Sequence, residues 1–561
     1  MVKVKDLPYR RYTVEEAKEQ FALFEKAAKE ATCADDVVKA REAYIRPLVS
    51  HYCTAASLSE NRYNLNTADE FYSAEKEYYN GANPHFSVLL NQYNEMMLSS
   101  PFRKELEEKI NPLVFLNCEV AKKAHSEQTV VDEQEENAIV TEYSRLMSSL
   151  VCEWRGEEVP LSVVRGYLED ADRAVRKSAA ESIGRGLQKH AKELDDIYDR
   201  LVHVRDRIAK KMGYKNFTEL GYYRMGRTGY NREMVETFRK NVVSDLVPVI
   251  AGMKEAIKEK MGWEKVAFYD NDVYGTASTE RTISVEEVFQ NAQVMYDEMN
   301  PEIGEFMRYM QETEAFDVLA RKHKWGGGYC TEFSDFKQIF ILANFNGSSG
   351  DIDVTTHEFG HAFAMNQVYQ GGDWELSIGG METAECHSMS MEFLAWPWMH
   401  LFFGENADAY RYKHLASSLS FIPYGCIVDE FQHIVYDNPD LTPSERKQVY
   451  LDLEKKYRPY LTTEGIPYLE EGTRWQYQMH IFETPFYYID YCLAQTVALG
   501  FLALSQRNYS LALEKYIEFC RTGGQKPFAE LVKCAGIAYP FGDGALKEIA
   551  DAVTEILNKL Q

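Results

Sequence analysis

This 561-residue chain has no CxxC and no closely spaced cysteines; its ten cysteines are scattered singly. That excludes a cysteine–zinc finger, argues against a disulfide framework, and predicts reduced, buried thiols in a cytoplasmic protein. Basic charge is scarce: 62 Lys and Arg stand against 87 Asp and Glu, a formal net charge of −25. Such a balance disfavours nucleic acid or an anionic membrane as partner. It leaves peptides open, whose backbones are neutral and whose N-termini are cationic. An uninterrupted apolar run is lacking too. The most apolar stretch, "FYYIDYCLAQTVALGFLALS" (486–505), holds Asp490 and Gln495. Lipid would leave those groups unsatisfied, so a buried helix is expected there and no membrane span. The first twenty residues carry positive charge but no apolar h-region, so no secretory signal is expected. Neither a repeat of fixed period nor a low-complexity tract is found.

Apolar material is ample, at 45% of the chain with 13% aromatic, and the length calls for more than one core. Most of the first 320 residues read as helix. "TVEEAKEQFALFEKAAKEA" (13–31) opens with a Thr capping pattern and spaces Phe21 and Phe24 helically. A helical pattern of about fifty residues ends at Gly213, with Gly184 and Gly186 expected to mark a turn or weak point within it. The texture changes at "RKHKWGGGYCTEFSDFKQIFILANFNGSSGD" (321–351), read as a small hairpin or sheet with "IFILANF" (339–345) as its strand. Helix is expected again from Val354. The organisation expected is a helical N-terminal lobe over 1–200 and a second lobe over 201–561, with no flexible linker between them.

The chemistry gathers in "VTTHEFGHAF" (354–363). Histidines four apart share one helix face, so His357 and His361 can offer two imidazole nitrogens to one ion. Glu358 points aside, as a base beside a metal does. Asp353 is expected to cap this helix. Zinc needs a third protein ligand and an open position for water. "GGMETAECHSMSMEFLAW" (379–396) offers Glu382, Glu385 and His387 near the start of a second helix. Spacing alone does not choose among them. Two ordinary helix histidines would account for the pentapeptide, but not for the polar cluster in "FGHAFA" or the acidic start of the second helix.

"HEFGHAF" followed by "ETAECHSMSMEF" resembles the oligoendopeptidase F branch of the thimet-type zinc oligopeptidases. "MGYKNFTELGY" (212–222), "GGGYCTEFSDFKQIFILANFNG" and "HIFETPFYYIDY" extend the likeness over most of the chain. The resemblance implies one zinc ion held by His357, His361 and Glu385, with Glu358 as catalytic base. Cys386 does not fit beside Glu385, because adjacent helix residues diverge by about 100°. His480, Tyr488 and Tyr491 are implied to line the substrate cleft near the oxyanion, and Tyr488 and Tyr491, three apart, share a helix face. Animal thimet enzymes carry a glycine pair between the corresponding histidine and tyrosines; here "FETP" stands instead, so a glycine-hinged loop is not implied. The fold implied is mainly α, two helical lobes around a deep cleft, with a small sheet next to the active-site helix. "IFILANF" is expected to give an extended peptide a strand edge. The function implied is hydrolysis of internal bonds in short unstructured peptides. A dipeptidyl carboxypeptidase or other exopeptidase on the same scaffold, and a non-catalytic helical binding protein, are the alternatives.

Overall fold

Capping residues punctuate apolar-periodic stretches along most of the chain, and the computed structural model is accordingly mainly α. It describes residues 2–275, 283–369, 371–376 and 379–560. Thr13 and Glu16 close a capping box at the head of helix Val14–Glu30, and Thr442 and Glu445 do so for helix Pro443–Tyr457. Each box satisfies two N–H groups that a helix start leaves open. Strands are few. β1 (Val151–Trp154) and β2 (Glu157–Pro160) form an antiparallel hairpin that the sequence reading missed. β3 (Phe316–Leu319), β4 (Tyr329–Phe333) and β5 (Gln338–Phe345) form one sheet.

Packing groups the chain into two compact units, and neither is a contiguous stretch. The first comprises Met1–Glu119, Ser278–Tyr410 and Leu504–Ile537; the second comprises Val120–Ala277, Arg411–Ala503 and Ala538–Gln561. The division expected near residue 200 runs along the chain, whereas these units interleave along it.

In the first unit, Phe24, Leu48, Phe86, Tyr93 and Leu106 build a core among the N-terminal helices. Arg41, buried beside it, is ion-paired with Asp373 and Glu375. The sheet has the order β3-β5-β4, with β5 parallel to β3 and antiparallel to β4. The expectation that "IFILANF" offers an edge is therefore corrected: β5 is the central strand, hydrogen-bonded on both sides. Its unbroken apolar run is the mark of a strand covered on both faces. The outer strand on one side is β4.

In the second unit, helix Arg173–Gln188 runs straight through Gly184 and Gly186, where a turn or weak point was expected. These glycines are packing positions. A Cβ at Gly184 would meet the Pro467 carbonyl oxygen at 1.9 Å, and one at Gly186 would meet Cys152 Sγ at 2.8 Å. The turn comes after Gln188, before helix Ala191–Lys211. Helix Tyr488–Arg507 is long and apolar enough to cross a membrane but lies mostly inside the protein, with Asp490 ion-paired to Arg227.

Candidate metal centre

The HExxH segment lies in helix Gly350–Val368. That helix begins a turn earlier than expected, with Ser349 at its N-cap and Asp353 inside it. Asp351, in the first turn, accepts from the Asn346 and Gly347 N–H groups of the preceding loop, both at 2.9 Å. A carboxylate there also faces the positive end of the helix dipole. Asp353 instead accepts from the Tyr410 hydroxyl.

The helix is covered on most sides. Phe359 stacks on Tyr296 with ring centroids 4.0 Å apart, and β4 and β5 pack along it. Across it lies helix Met381–Leu394, drawn in at Gly360, where a Cβ would sit 2.7 Å from the His387 carbonyl oxygen and 2.7 Å from Ser388 Cα. This crossing brings Glu385 to the histidines: its Oε2 lies 3.4 Å from His357 Nε2 and 3.9 Å from His361 Nε2. One donor atom from each of the three residues falls within 4.8 Å of the others. Glu392 sits seven residues, two helical turns, beyond Glu385, and its Oε1 is 2.7 Å from His357 Nδ1. The sequence reading gave Glu392 no role. With Nδ1–H donating to Glu392, the Nε2 lone pair is left for a ligand position.

The other third-ligand candidates point elsewhere. The Glu382 carboxylate lies back against its own helix start, within 2.6 Å of where a Gly380 Cβ would be. The His387 ring is fully buried and meets the edge of Phe519 at 5.3 Å between centroids. Cys386 is buried as well.

A buried helix keeps polar groups only where they are satisfied. Thr355 and Thr356 bond carbonyls one turn back. In helix Gly350–Val368 two buried side-chain atoms, Glu358 Oε2 and His361 Nδ1, have no hydrogen-bond partner among the described residues. Neither Glu358 nor Glu385 has a lysine or arginine partner among the described residues. Burial pushes the Glu358 carboxyl up to about 7. Burial, with the charge of His357, pushes His361 down to about 4. Burial opposes a charge on His357, but the bonds to Glu385 and Glu392 outweigh it and hold that ring well above the ordinary histidine value. Two imidazoles and a carboxylate converging without a counter-cation form a donor set suited to a divalent transition metal, with Glu358 beside it.

His480, Tyr488 and Tyr491 belong to the second unit and lie together there. The His480 ring is 5.0 Å from Tyr488 and 6.3 Å from Tyr491, and the two tyrosine rings are 5.9 Å apart. The segment is divided between two helices, and Tyr488 and Tyr491 lie on the second. Short helix Met479–Glu483 ends before Pro485, and helix Tyr488–Arg507 begins three residues later. Between them Phe486 takes φ +67°, a strained value for a non-glycine residue. Its N–H donates to Gln432 Oε1 and its carbonyl accepts from Arg227, which also holds Asp490. This clamp fixes the start of the Tyr488 helix. Gln478 donates its amide to His480 Nδ1 at 2.8 Å while accepting from the Tyr424 hydroxyl at 2.6 Å. In that arrangement a neutral His480 carries its proton on Nε2.

A helical scaffold that crosses an HExxH helix with a glutamate-bearing one is the framework of a metallopeptidase. The sequence model of peptidase family M3 matches residues 166–551, and that of the peptidase M3 N-terminal domain matches residues 4–125. A solved structure of PZ peptidase A with an inhibitor is 42% identical, covers 99% of each chain and superposes with a TM-score of 0.87. A candidate oligoendopeptidase F is also 42% identical, over 100% of this chain and 99% of its own, with a TM-score of 0.87. Another, from Bacillus anthracis strain Ames, is 37% identical over 100% and 98%, with a TM-score of 0.83. Comparison with curated proteins gives no match. The chain belongs to peptidase family M3, in its oligoendopeptidase F branch.

Proposed function

We propose that this peptidase is a zinc-dependent endopeptidase that cuts internal bonds of short, unstructured peptides in the cytoplasm. The observation that carries the reading is the convergence of His357, His361 and Glu385 beside the unpartnered Oε2 of buried Glu358. His357 Nε2, His361 Nε2 and Glu385 Oε2 are the atoms to hold one zinc ion. When bound in such a set, zinc supplies Lewis-acid polarisation of a carbonyl and lowers the pKa of water. Glu392 orients the His357 ring through Nδ1.

Glu358 is the general base. Its carboxyl, raised to about 7 by burial, accepts a proton at Oε2 from the attacking water and returns it to the departing amine nitrogen. The amine is too basic to leave unprotonated, which is why one carboxylate serves in both directions. His480 through Nε2–H, and Tyr488 and Tyr491 through their hydroxyls, are donors suited to a carbonyl oxygen that gains charge or to the peptide backbone.

The peptide is held as an added strand on β4, not on β5. A Cβ at Gly328 would lie 3.9 Å from Glu358 Oε1, so Gly328, just before β4, brings bare backbone near the base. Main-chain bonds to an outer strand bind a peptide with little demand on its sequence, provided that it is unfolded. The acidic balance of the chain supports a peptide substrate over nucleic acid or membrane.

The test pairs metal content with mass-spectrometric mapping of cuts in a mixture of short peptides, for the native protein and Glu358→Gln. About one zinc per chain in both, with internal cuts by the native protein alone, is the expected result. Cuts confined to one terminus would move the reading to an exopeptidase. A metal-free protein that cuts nothing after zinc is supplied would leave only a binding module.

A further inference from the structure

Among the described residues seven arginines are deeply buried, and each has a carboxylate partner. Arg205 holds Glu136, Arg227 holds Asp490, Arg239 holds Asp429 and Arg458 holds Glu454; Arg41, Arg176 and Arg446 are paired likewise. Arg474 departs from this pattern. Its Nε and Nη1 are buried without a hydrogen-bond partner among the described residues, as are those of Arg227, but unlike Arg227 it has no carboxylate partner among them. The nearby Glu454 is bonded through both oxygens to Arg458. The Arg474 guanidinium lies 3.9 Å above the Tyr424 ring centroid and 5.3 Å from that of Phe268, while the side chain as a whole stays partly exposed. A guanidinium stripped of water on two nitrogens and left without an anion costs stability. Aromatic stacking offsets part of that cost.

Its surroundings say what the missing anion belongs to. The Tyr424 ring that carries Arg474 meets Tyr488 edge-on at 5.7 Å, and the Tyr424 hydroxyl is bonded to Gln478, which orients His480. Arg474 is therefore one aromatic ring away from two side chains assigned to the substrate. We infer that Arg474 receives a carboxylate of the bound peptide, either its C-terminal group or an acidic side chain. The guanidinium fork takes a carboxylate through two parallel N–H bonds, a geometry that a lone lysine does not offer. The inference rests on the peptidase reading for the identity of the ligand.

The experiment separates the two. In Glu358→Gln protein, which binds without cutting, dissociation constants are measured for matched fluorescent peptides. One pair differs in a free or amidated C-terminus, the other in an internal Glu or Gln. The acid form of one pair is expected to bind about ten-fold more tightly than its neutral form, and that pair identifies the source of the carboxylate. Adding Arg474→Gln is expected to bring the ratio to about one while leaving the neutral peptide within about two-fold. No acid preference, a preference that survives Arg474→Gln, or equal weakening of acid and neutral forms overturns the inference. Equal weakening is what a purely structural stack on Tyr424 predicts. If Arg474→Gln does not fold, Arg474→Lys decides: the charge remains, the fork is lost, and the ratio is expected to fall by about three-fold or more. Native protein that cuts none of these peptides, while binding keeps its dependence on Arg474, removes the peptidase reading and leaves this one standing.

Discussion

Replacing Glu392 asks whether His357 is held ready for a metal or is merely a buried histidine with a partner. Glu392 Oε1 is 2.7 Å from His357 Nδ1, the nitrogen facing away from Glu385. A hydrogen bond to a charged acceptor contributes about 1.5–3 kcal/mol and one to a neutral acceptor about 0.5–1.5 kcal/mol. Glu392→Gln keeps an acceptor and loses the charge, so it should weaken zinc binding by about 1–1.5 kcal/mol, or roughly ten-fold. Glu392→Ala removes the acceptor and frees the ring to rotate, which points to a loss of up to about a hundred-fold. Competition of the metal-free proteins against a chromogenic chelator reads both constants directly, without relying on turnover. The graded order, native then Gln then Ala, is the signature of an orienting bond. If both variants held zinc within about two-fold of the native protein, the bond would be incidental.

Gly360→Ala places a methyl group 2.7 Å from the His387 carbonyl oxygen and should separate the two helices. We expect a loss of about 1–3 kcal/mol in chemical denaturation together with weaker zinc binding, since Glu385 rides on the displaced helix. Lys254 is buried with its ammonium donating to the Asn271 carbonyl, and burial pushes it down to about 7 from its ordinary 10.5. The unfolded chain therefore binds more protons between those values, so this group penalises the fold most below about pH 7 and least above about pH 10.5. Lys254→Met should stabilise by about 2–3 kcal/mol near neutral pH and by much less at about pH 10. An equal gain at both values would remove the titration argument.

How much of this was legible in the sequence depended on what decided each feature. His357, His361 and Glu358 were readable because four-residue spacing on a helix fixes a common face without help from the rest of the fold. Glu385 was readable only as one of three candidates. Glu382 lies one turn before it on the same side, and what separates them is the depth of the crossing at Gly360. Glu392 was given no role, because that role depends on which nitrogen of His357 faces it, and no spacing specifies that. "IFILANF" was readable as a strand and misplaced as an edge. An apolar run without alternation already signals cover on both faces, and the expectation of a peptide-binding edge overrode that signal. Gly184 and Gly186 misled for the opposite reason. Read locally, glycine in a helix is a weak point; here each is a place where the Pro467 carbonyl or the Cys152 thiol comes too close for any side chain.

Buried charge in this protein comes in two kinds, and they make opposite predictions. Arg227 with Asp490 is a closed pair: each group has its counter-charge inside the fold, and the guanidinium also holds the Phe486 carbonyl. Removing one member leaves the other charge buried and alone, which costs about 3–5 kcal/mol. Arg227→Met should therefore lower stability by that order. Arg474 is open: no carboxylate waits for it, so Arg474→Gln removes a desolvated charge along with a stacking contact, and the two nearly cancel. A change within about 1 kcal/mol in denaturant unfolding is expected. The same contrast sets the carboxylates of Asp490 and Asp429 apart from Glu358 and Glu385, which have no lysine or arginine partner among the described residues. On the readings proposed above, these open charges are completed from outside, by a metal for the glutamates and by a substrate carboxylate for the arginine. If Arg474→Gln lost as much stability as Arg227→Met, Arg474 would belong with the closed set, and its lack of a partner would say nothing about a ligand.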